Sequence, residues 1–301
     1  MTTTAPFPAL IDSSMRSAFV TCPRKFFLEY VESWRGKTES IHLTAGGAFA
    51  AGIEATLREY HDGSRDENKA LEAGTVAFCK AWGTADREPQ GTNKTFVRML
   101  GALQDYFIEY PLKEDLIVPL KTSIGSAIEF SFAYPTEIKH PVSNDPIIYA
   151  GRFDRLATMG GLNVICDEKT TTQLGASWAG QWRLRAQFTG YIWGAQQAGY
   201  DVSHACIRGI SILKESYGHV QVLEYRDKWE VERWHVQLNK DLQRMVKCWE
   251  DSYWDFNLDS SCSNYGGCPF RAEVCSSPNP EKWLEMAFEK HPYSPIKVHP
   301  L

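Results

Sequence analysis

The run from Gly151 to Lys169, Gly-Arg-Phe-Asp-Arg-Leu-Ala-Thr-Met-Gly-Gly-Leu-Asn-Val-Ile-Cys-Asp-Glu-Lys, limits the fold more than any other stretch of this 301-residue chain. Runs rich in apolar and β-branched residues flank Met159-Gly160-Gly161, a hairpin turn signal, so two antiparallel strands are expected. Side chains alternate along a strand, which sends Asp167 and Lys169 to one side and Glu168 to the other. Asp154, near the end of the first strand, comes alongside that pair. Two carboxylates and an ammonium then share one spot. Hard divalent cations take oxygen ligands, and Mg²⁺ typically uses one or two carboxylates, with water and phosphate oxygens completing its shell. A lysine beside such a centre orients attacking water and offsets charge building on a phosphate. The arrangement suits phosphodiester cleavage; the bland alternative is a solvated strand face with an ion pair.

A hydrophobic share of 43% and a charged share of 23% are ordinary for a globular chain that buries a sizeable core. The net charge of −5 excludes a globally basic coat, so a nucleic-acid site must be a local basic groove. No apolar run reaches the length that spans a bilayer, and no membrane partner is expected. Met1 to Pro8 lacks the basic flank and apolar core of a signal peptide, so the expected location is cytoplasmic.

Asp12-Ser13-Ser14 is a helix-start signal, and Cys22-Pro23 breaks the following helix in two. The second piece is expected to bury Phe26, Phe27 and Tyr30 and to expose Arg24 and Lys25. Residues 41–60 predict a helix whose small residues, Ala45-Gly46-Gly47, permit close packing or ligand approach. Helical pattern continues to about Pro111, with loops at Asp62-Gly63-Ser64 and Glu88-Pro89-Gln90-Gly91, and residues 53–115 are expected to form a helical insertion. From Leu116 the period changes to that of strands, at Ile128–Tyr134, Ile147–Asp154 and Leu162–Lys169. A helix over Trp178–Gly199, strands over Ala205–Leu213 and Val220–Tyr225, and an amphipathic helix over Trp229–Trp254 complete an α/β pattern of a mixed sheet flanked by helices.

Eight cysteines fall into two groups. Cys79, Cys166, Cys206 and Cys248 sit inside apolar patterns and are expected to be buried thiols. Cys262, Cys268 and Cys275 share one short loop-rich segment, where a disulfide would leave one thiol over. A zinc or iron–sulfur centre needs four ligands, and residues 262–275 contain no histidine to supply the fourth.

Gly151-Arg-Phe-Asp154-Arg followed by Asp167-Glu-Lys169-Thr-Thr resembles the signature of the PD-(D/E)XK nucleases in their RecB-like form. Gln187-Phe-Thr-Gly-Tyr191, one helical turn apart and so on one face, is similar to the Gln-x-x-x-Tyr motif of that family. Cys22, in Cys-Pro-Arg-Lys-Phe-Phe, with the trio Cys262, Cys268 and Cys275, resembles the one-plus-three cysteines of its iron–sulfur branch. That branch includes CRISPR adaptation nucleases and helicase-associated subunits, although the first gap of the trio is looser here. The resemblance runs from Cys22 to Cys275. It implies a restriction-endonuclease-like mixed central sheet flanked by helices, within a single nuclease domain spanning 1–301. It also implies a C-terminal segment, 256–301, stapled to Cys22 by a [4Fe–4S] cluster; a zinc knot doing the same mechanical work stays open.

By the same resemblance Asp154 and Asp167 bind Mg²⁺ or Mn²⁺, Lys169 positions the attacking water, and Gln187 and Tyr191 support the substrate strand. Arg183, Arg185 and Thr170 to Gln173 are available for phosphate contacts, and Trp178 and Trp182 for base stacking or core packing. One departure stands out: the family's metal-binding histidine falls at Ala50. Glu54, a helical turn later on the same face, is the candidate replacement ligand. The implied function is an exonuclease on single-stranded or frayed DNA ends in phage-type recombination, replication or repair, alongside partner proteins of those processes. The alternative is a catalytically impaired iron–sulfur module that binds DNA ends. Oligomeric state is not implied.

Overall fold

The computed structural model describes residues 6–37, 40–83, 91–263 and 267–296. The chain divides into two compact units, a smaller one from Met1–Thr38, Phe132–Gly151 and Glu232–Leu301, and a larger one from Glu39–Ser131 and Arg152–Val231. In chain order the described elements begin with β1 (Leu10–Ile11), α1 (Ser13–Thr21), α2 (Pro23–Phe26) and β2 (Trp34–Gly36). Three helices follow, α3 (Ile41–Asp62), α4 (Glu67–Trp82) and α5 (Phe96–Glu109). Next come β3 (Ile117–Pro119), β4 (Lys121–Thr122), β5 (Gly125–Ser126), β6 (Ile128–Lys139), β7 (Pro146–Met159) and β8 (Leu162–Thr171). Then come α6 (Ala176–Gly180), α7 (Ala186–Gln197), β9 (His204–Ile212), β10 (Tyr217–Tyr225) and α8 (Lys228–Glu250). The last are α9 (Ser260–Ser263), α10 (Pro280–Ala287) and β11 (Phe288–Lys290).

In the larger unit the expected hairpin is present. Gly160 and Gly161 hold φ of 57° and 86°, the left-handed pair that a two-residue turn between twisted strands requires. β7 and β8 pair antiparallel from Met159↔Leu162 to Arg155↔Cys166. A parallel neighbour needs a crossover, here through α6 and α7, which sets β9 beside β8 with Asp167↔Ile207 and Lys169↔Gly209 in register. β10 returns antiparallel to β9. The result is the mixed central sheet flanked by helices that the sequence pattern implies.

α3, α4 and α5 share one core with that sheet: Phe49, Leu57, Phe78, Met99 and Leu103 are buried with Ile210 and Ile212 of β9. Residue 53, the expected start of the insertion, lies inside α3. The close helix approach is also elsewhere than at Gly46 and Gly47, whose absent Cβ atoms would meet nothing within 4 Å. It is at Gly74, where a Cβ would lie 1.9 Å from Thr56 Oγ1 and 2.8 Å from the Gly52 carbonyl. Of the loop expected at Glu88–Gly91, all but Gly91 lies outside the described residues.

The helix expected over Trp178–Gly199 is two helices. Past Gly180 the backbone runs in turns, and the Trp182 carbonyl accepts from the Arg185 N–H at 3.2 Å and from Arg226 Nη2 at 2.8 Å. In the smaller unit Asp12 caps α1 by accepting from the Met15 N–H at 2.8 Å. Phe26 and Phe27 are buried as expected, packed on Trp254. Arg24 is half-buried rather than exposed because its guanidinium lies over the Phe27 ring, 5.0 Å from the centroid. Lys25 and Tyr30 are half-buried too. No described helix is long and apolar enough to cross a membrane.

Candidate active site

The backbone pairing of β7 with β8 stops at Arg155↔Cys166. One residue further on, the Asp154 carboxylate takes over and accepts from the Glu168 N–H, Oδ2 to N 3.0 Å. That bond fixes Asp154 beside the Asp167-Glu168-Lys169 run. Asp167 is only 2% exposed and forms an ion pair with Lys169. Burial, and after it the negative charge of Asp167, pushes the Asp154 carboxyl well above the usual carboxylate range. Burial also raises Asp167, against the pull of Lys169. Burial works against the Lys169 ammonium, yet Asp167 and Asp154 raise it and keep it charged. One ammonium, that of Lys169, serves both carboxylates.

Asp154 borders a cavity of about 10 Å³, together with Ala50, Glu54, Glu129 and Glu168. A space of that size holds about one water-sized occupant. Glu54 therefore reaches the same cavity as Asp154, but its Oε1 is taken by Arg58 Nε at 2.9 Å. Glu129 escaped sequence reasoning, which read it only as the polar phase of an alternating strand. It sits at φ 50°, a left-handed conformation uncommon for a side-chain-bearing residue. Its Oε2 pairs with Arg152 Nε at 2.6 Å. Burial, opposed by Arg152 and assisted by Glu54, pushes the Glu129 carboxyl up to about 7.

Glu168 belongs to a different arrangement, also unseen in the sequence. Arg155, 1% exposed, pairs with it. The Tyr106 hydroxyl of α5 donates to Glu168 Oε1 at 2.9 Å and accepts from Arg155 Nη2 at 3.1 Å and Arg208 Nη1 at 3.0 Å. Arg208 in turn forks onto Asp115 with bonds of 2.7 and 2.6 Å. Each charge in this buried chain faces an opposite one, while Arg155 Nε and Nη1 are left without a hydrogen-bond acceptor among the described residues.

On α7 the Gln187 side-chain amide donates to the Tyr191 hydroxyl at 3.0 Å. The Tyr191 ring meets Phe153, the residue before Asp154, edge-on at 5.8 Å. Arg185 is near enough for its charge to act on Asp167. Arg183 is occupied by Glu230 at 2.9 Å. Trp178 and Trp182 are core residues rather than stacking platforms, buried edge-to-face at 5.1 Å. A Cβ on Gly209 would strike the Trp178 ring at 2.3 Å.

A family model described as the PD-(D/E)XK nuclease superfamily matches residues 14–276. The chain belongs to that superfamily. Among solved structures this PD-(D/E)XK chain is similar to a candidate exonuclease from Eubacterium rectale. The two share 11% identity and a TM-score of 0.51 over 84% of this chain and 87% of that one, a likeness of fold. A second, SSO0001, has 11% identity and a TM-score of 0.28 over 64% of this chain and 74% of that one. No curated protein matches.

In this PD-(D/E)XK chain the four cysteines outside the apolar patterns, Cys22, Cys262, Cys268 and Cys275, are free thiols lining one cavity of about 20 Å³ in the smaller unit. Burial, then the neighbouring Cys268, pushes the Cys275 thiol up to about 11. Burial also raises Cys268. Four sulfur donors around one space is the donor set of a [4Fe–4S] cluster or a zinc site. Cys166 and Cys206 are buried as expected, while Cys79 and Cys248 are half-buried. Among the described residues no three His, Cys, Asp or Glu side chains converge closely enough to hold a metal as they stand. At the carboxylates the cause is visible: Lys169 claims Asp167, and Asp154 is turned to the Glu168 N–H. The donor chemistry, buried oxygens in need of positive charge, fits a hard divalent ion.

Proposed function

We propose that the chain is a metal-dependent deoxyribonuclease, an exonuclease hydrolysing phosphodiester bonds at single-stranded or frayed DNA ends. One observation carries this: Asp154 and Asp167, both buried and both raised by that burial, meet Lys169 where the β7–β8 pairing ends. Asp154 and Asp167 would hold Mg²⁺ or Mn²⁺, with Glu129 and Glu54 on the adjoining cavity wall. Such an ion polarises a phosphoryl oxygen and lowers the pKa of bound water. Lys169, released from Asp167, orients the water and faces the charge that develops on the phosphate. Gln187 and Tyr191 brace the strand. Biological settings that suit this chemistry are recombination, replication and repair, with partner proteins drawn from them.

In the same reading Cys22, Cys262, Cys268 and Cys275 hold a [4Fe–4S] cluster that ties the 256–301 segment to Cys22. The chain then works as one nuclease domain, with 53–115 inserted into it. The test is cleavage of end-labelled single-stranded DNA in Mn²⁺. Asp167→Ala and Lys169→Ala should each lower the rate about 10²-fold or more, the scale of a lost general acid–base or electrostatic group. Unchanged cleavage by both variants sinks the assignment. A second reading, a module that binds DNA ends without cutting them, is favoured by Ala50 on the cavity wall and by the Arg58 hold on Glu54. Wild-type binding without metal-dependent turnover would select it.

A further inference from the structure

β6 brings a further carboxylate to Asp154, from a strand that carries none of the signature residues. It runs beside β7. The Leu156 N–H donates to the Ala127 carbonyl at 2.9 Å, and the Phe130 ring stacks on Phe153 at 5.5 Å between centroids. Counting forward from Ala127 and back from Leu156 sets Glu129 across from Asp154, where side chains of paired strands meet. Both border the cavity of about 10 Å³, and the Glu129 charge acts on Asp154. Glu54 borders the same cavity from α3, and Arg58 sets the two glutamates apart. Arg58 Nε holds Glu54 Oε1 at 2.9 Å, in a pair spanning one helical turn whose acidic side chain is 36% exposed. Arg58 Nη2 donates to the Ile128 carbonyl at 2.7 Å and so fixes the peptide entering Glu129, whose φ is 50°. Backbone strain of that kind persists only where the surroundings over-determine it, and it gathers at active sites and ligand clamps. The Glu129 side chain is 13% exposed, so its carboxylate has lost more of its water than that of Glu54. A buried carboxylate is satisfied by pairing or by coordinating a metal. Asp167 Oδ2 shows the same want: beside its ion pair with Lys169 it accepts no hydrogen bond among the described residues.

We propose that Glu129 is the third carboxylate ligand of the divalent ion, joining Asp154 and Asp167, and that Glu54 is not a ligand. This rests on the nuclease reading above and completes its set of protein oxygens, the donor type that Mg²⁺ and Mn²⁺ take. Arg152, at 2.6 Å, is the counter-charge that Glu129 exchanges for the ion. The plainer role is a structural one, in which Glu129 serves only to pair Arg152.

The experiment titrates Mn²⁺ into the full chain without DNA and follows the free ion by electron paramagnetic resonance. Wild type, Asp154→Asn, Glu129→Gln and Glu54→Gln are compared, and each is checked by thermal melting. Loss of even an outer partner of a metal site costs about 10–100-fold in affinity. Glu129→Gln should therefore weaken Mn²⁺ binding by at least about tenfold, and Asp154→Asn should do the same. Glu54→Gln removes an equal charge from the same cavity wall and should bind as wild type does. Equal losses in the two glutamine variants overturn the proposal in favour of the general field of the cavity. Wild-type affinity in Glu129→Gln overturns it in favour of the structural pair. The double variant Glu129→Gln/Arg152→Gln should stay weak; recovery there would trace the loss to a bared Arg152 and overturn the proposal. Should Glu129→Gln not fold, Fe²⁺ with ascorbate and peroxide cuts the unaltered backbone beside the ion. Cuts at 129 as well as at 154 and 167 are expected, and a pattern that spares 129 overturns the proposal. Wild type that binds no Mn²⁺ overturns it as well. Wild-type DNA cleavage, run in parallel, reports on the nuclease reading separately: Mn²⁺ held through Glu129 without cleavage removes that reading and keeps this ligand.

Discussion

Glu168 is gripped by Arg155 and the Tyr106 hydroxyl, whereas Asp167, one residue earlier, is met by a single flexible lysine. Removing one member of a buried ion pair strands the other in a dry interior, which costs about 3–5 kcal/mol. Arg155→Met should therefore lower the unfolding free energy by that amount in urea titration, and Tyr106→Phe by about 1–3 kcal/mol for a buried partner left unsatisfied. Losses below about 0.5 kcal/mol for both, the scale of ordinary surface changes, would show that the network carries no stability. His61 supplies a pH signature. Burial, with the charges of Arg65 and Lys121, lowers it from 6.5 to about 4. The fold accepts only the neutral ring, so the unfolded chain takes up a proton below pH 6.5 that the folded chain refuses until about 4. Stability from this group is complete above 6.5 and drains away as pH falls through that window. His61→Gln should flatten melting temperature against pH between 7 and 4, as scanning calorimetry would show; parallel curves for the two proteins would refute the role. Asp167 and Lys169 were legible in the sequence because strand alternation is local. Glu129, Arg155 and Tyr106 were not, because their partners, Arg152, Glu168 and Arg208 among them, come from other strands or from a helix docked on the sheet, which no local pattern encodes.

At the scale of elements the helix crossing and the hairpin answer to different rules. Gly74 packs where a Cβ would lie 1.9 Å from Thr56 Oγ1, so Gly74→Ala should cost about 1–3 kcal/mol through overpacking. Gly47, in the same α3 that Gly74 faces, has open space around it. Gly47→Ala should be neutral or raise stability by up to about 1 kcal/mol through helix propensity. Thermal melts of the two variants check both signs, and a stable Gly74→Ala protein would contradict the crossing. The β7–β8 hairpin was readable from Gly160-Gly161 because turn chemistry belongs to two residues. The glycines at 46 and 47 pointed to a close approach that falls instead at Gly52 and Gly74. Small side chains permit contact but do not say where a partner helix will arrive. The turn between α6 and α7 is held in part by Arg226, contributed from beyond β10, a contact that no local pattern announces.

For the molecule as a whole, the net charge of −5 leaves nucleic-acid binding to a few placed cations, so affinity should fall with salt only shallowly, by about 0.7 in log–log slope for each single-strand phosphate contact. The cysteine set makes a whole-chain prediction. Protein purified without oxygen should contain iron, absorb broadly in the visible, and lose both in Cys22→Ser as fully as in Cys268→Ser. Zinc in place of iron would select the zinc knot, and no metal at all would leave the four thiols structural. Composition alone shows a cysteine surplus near the C-terminal end, but only folding shows that Cys22 lines the same space. The smaller unit is assembled from three separated stretches of chain, while the larger one ends at Val231. Every residue of the larger unit therefore precedes Glu232, and Asp154, Asp167 and Lys169 are synthesised before Cys262, Cys268 and Cys275. Cys22 meets its three companions only once Cys275 has been added, so any inorganic centre there is completed after the whole sequence of the larger unit has been made.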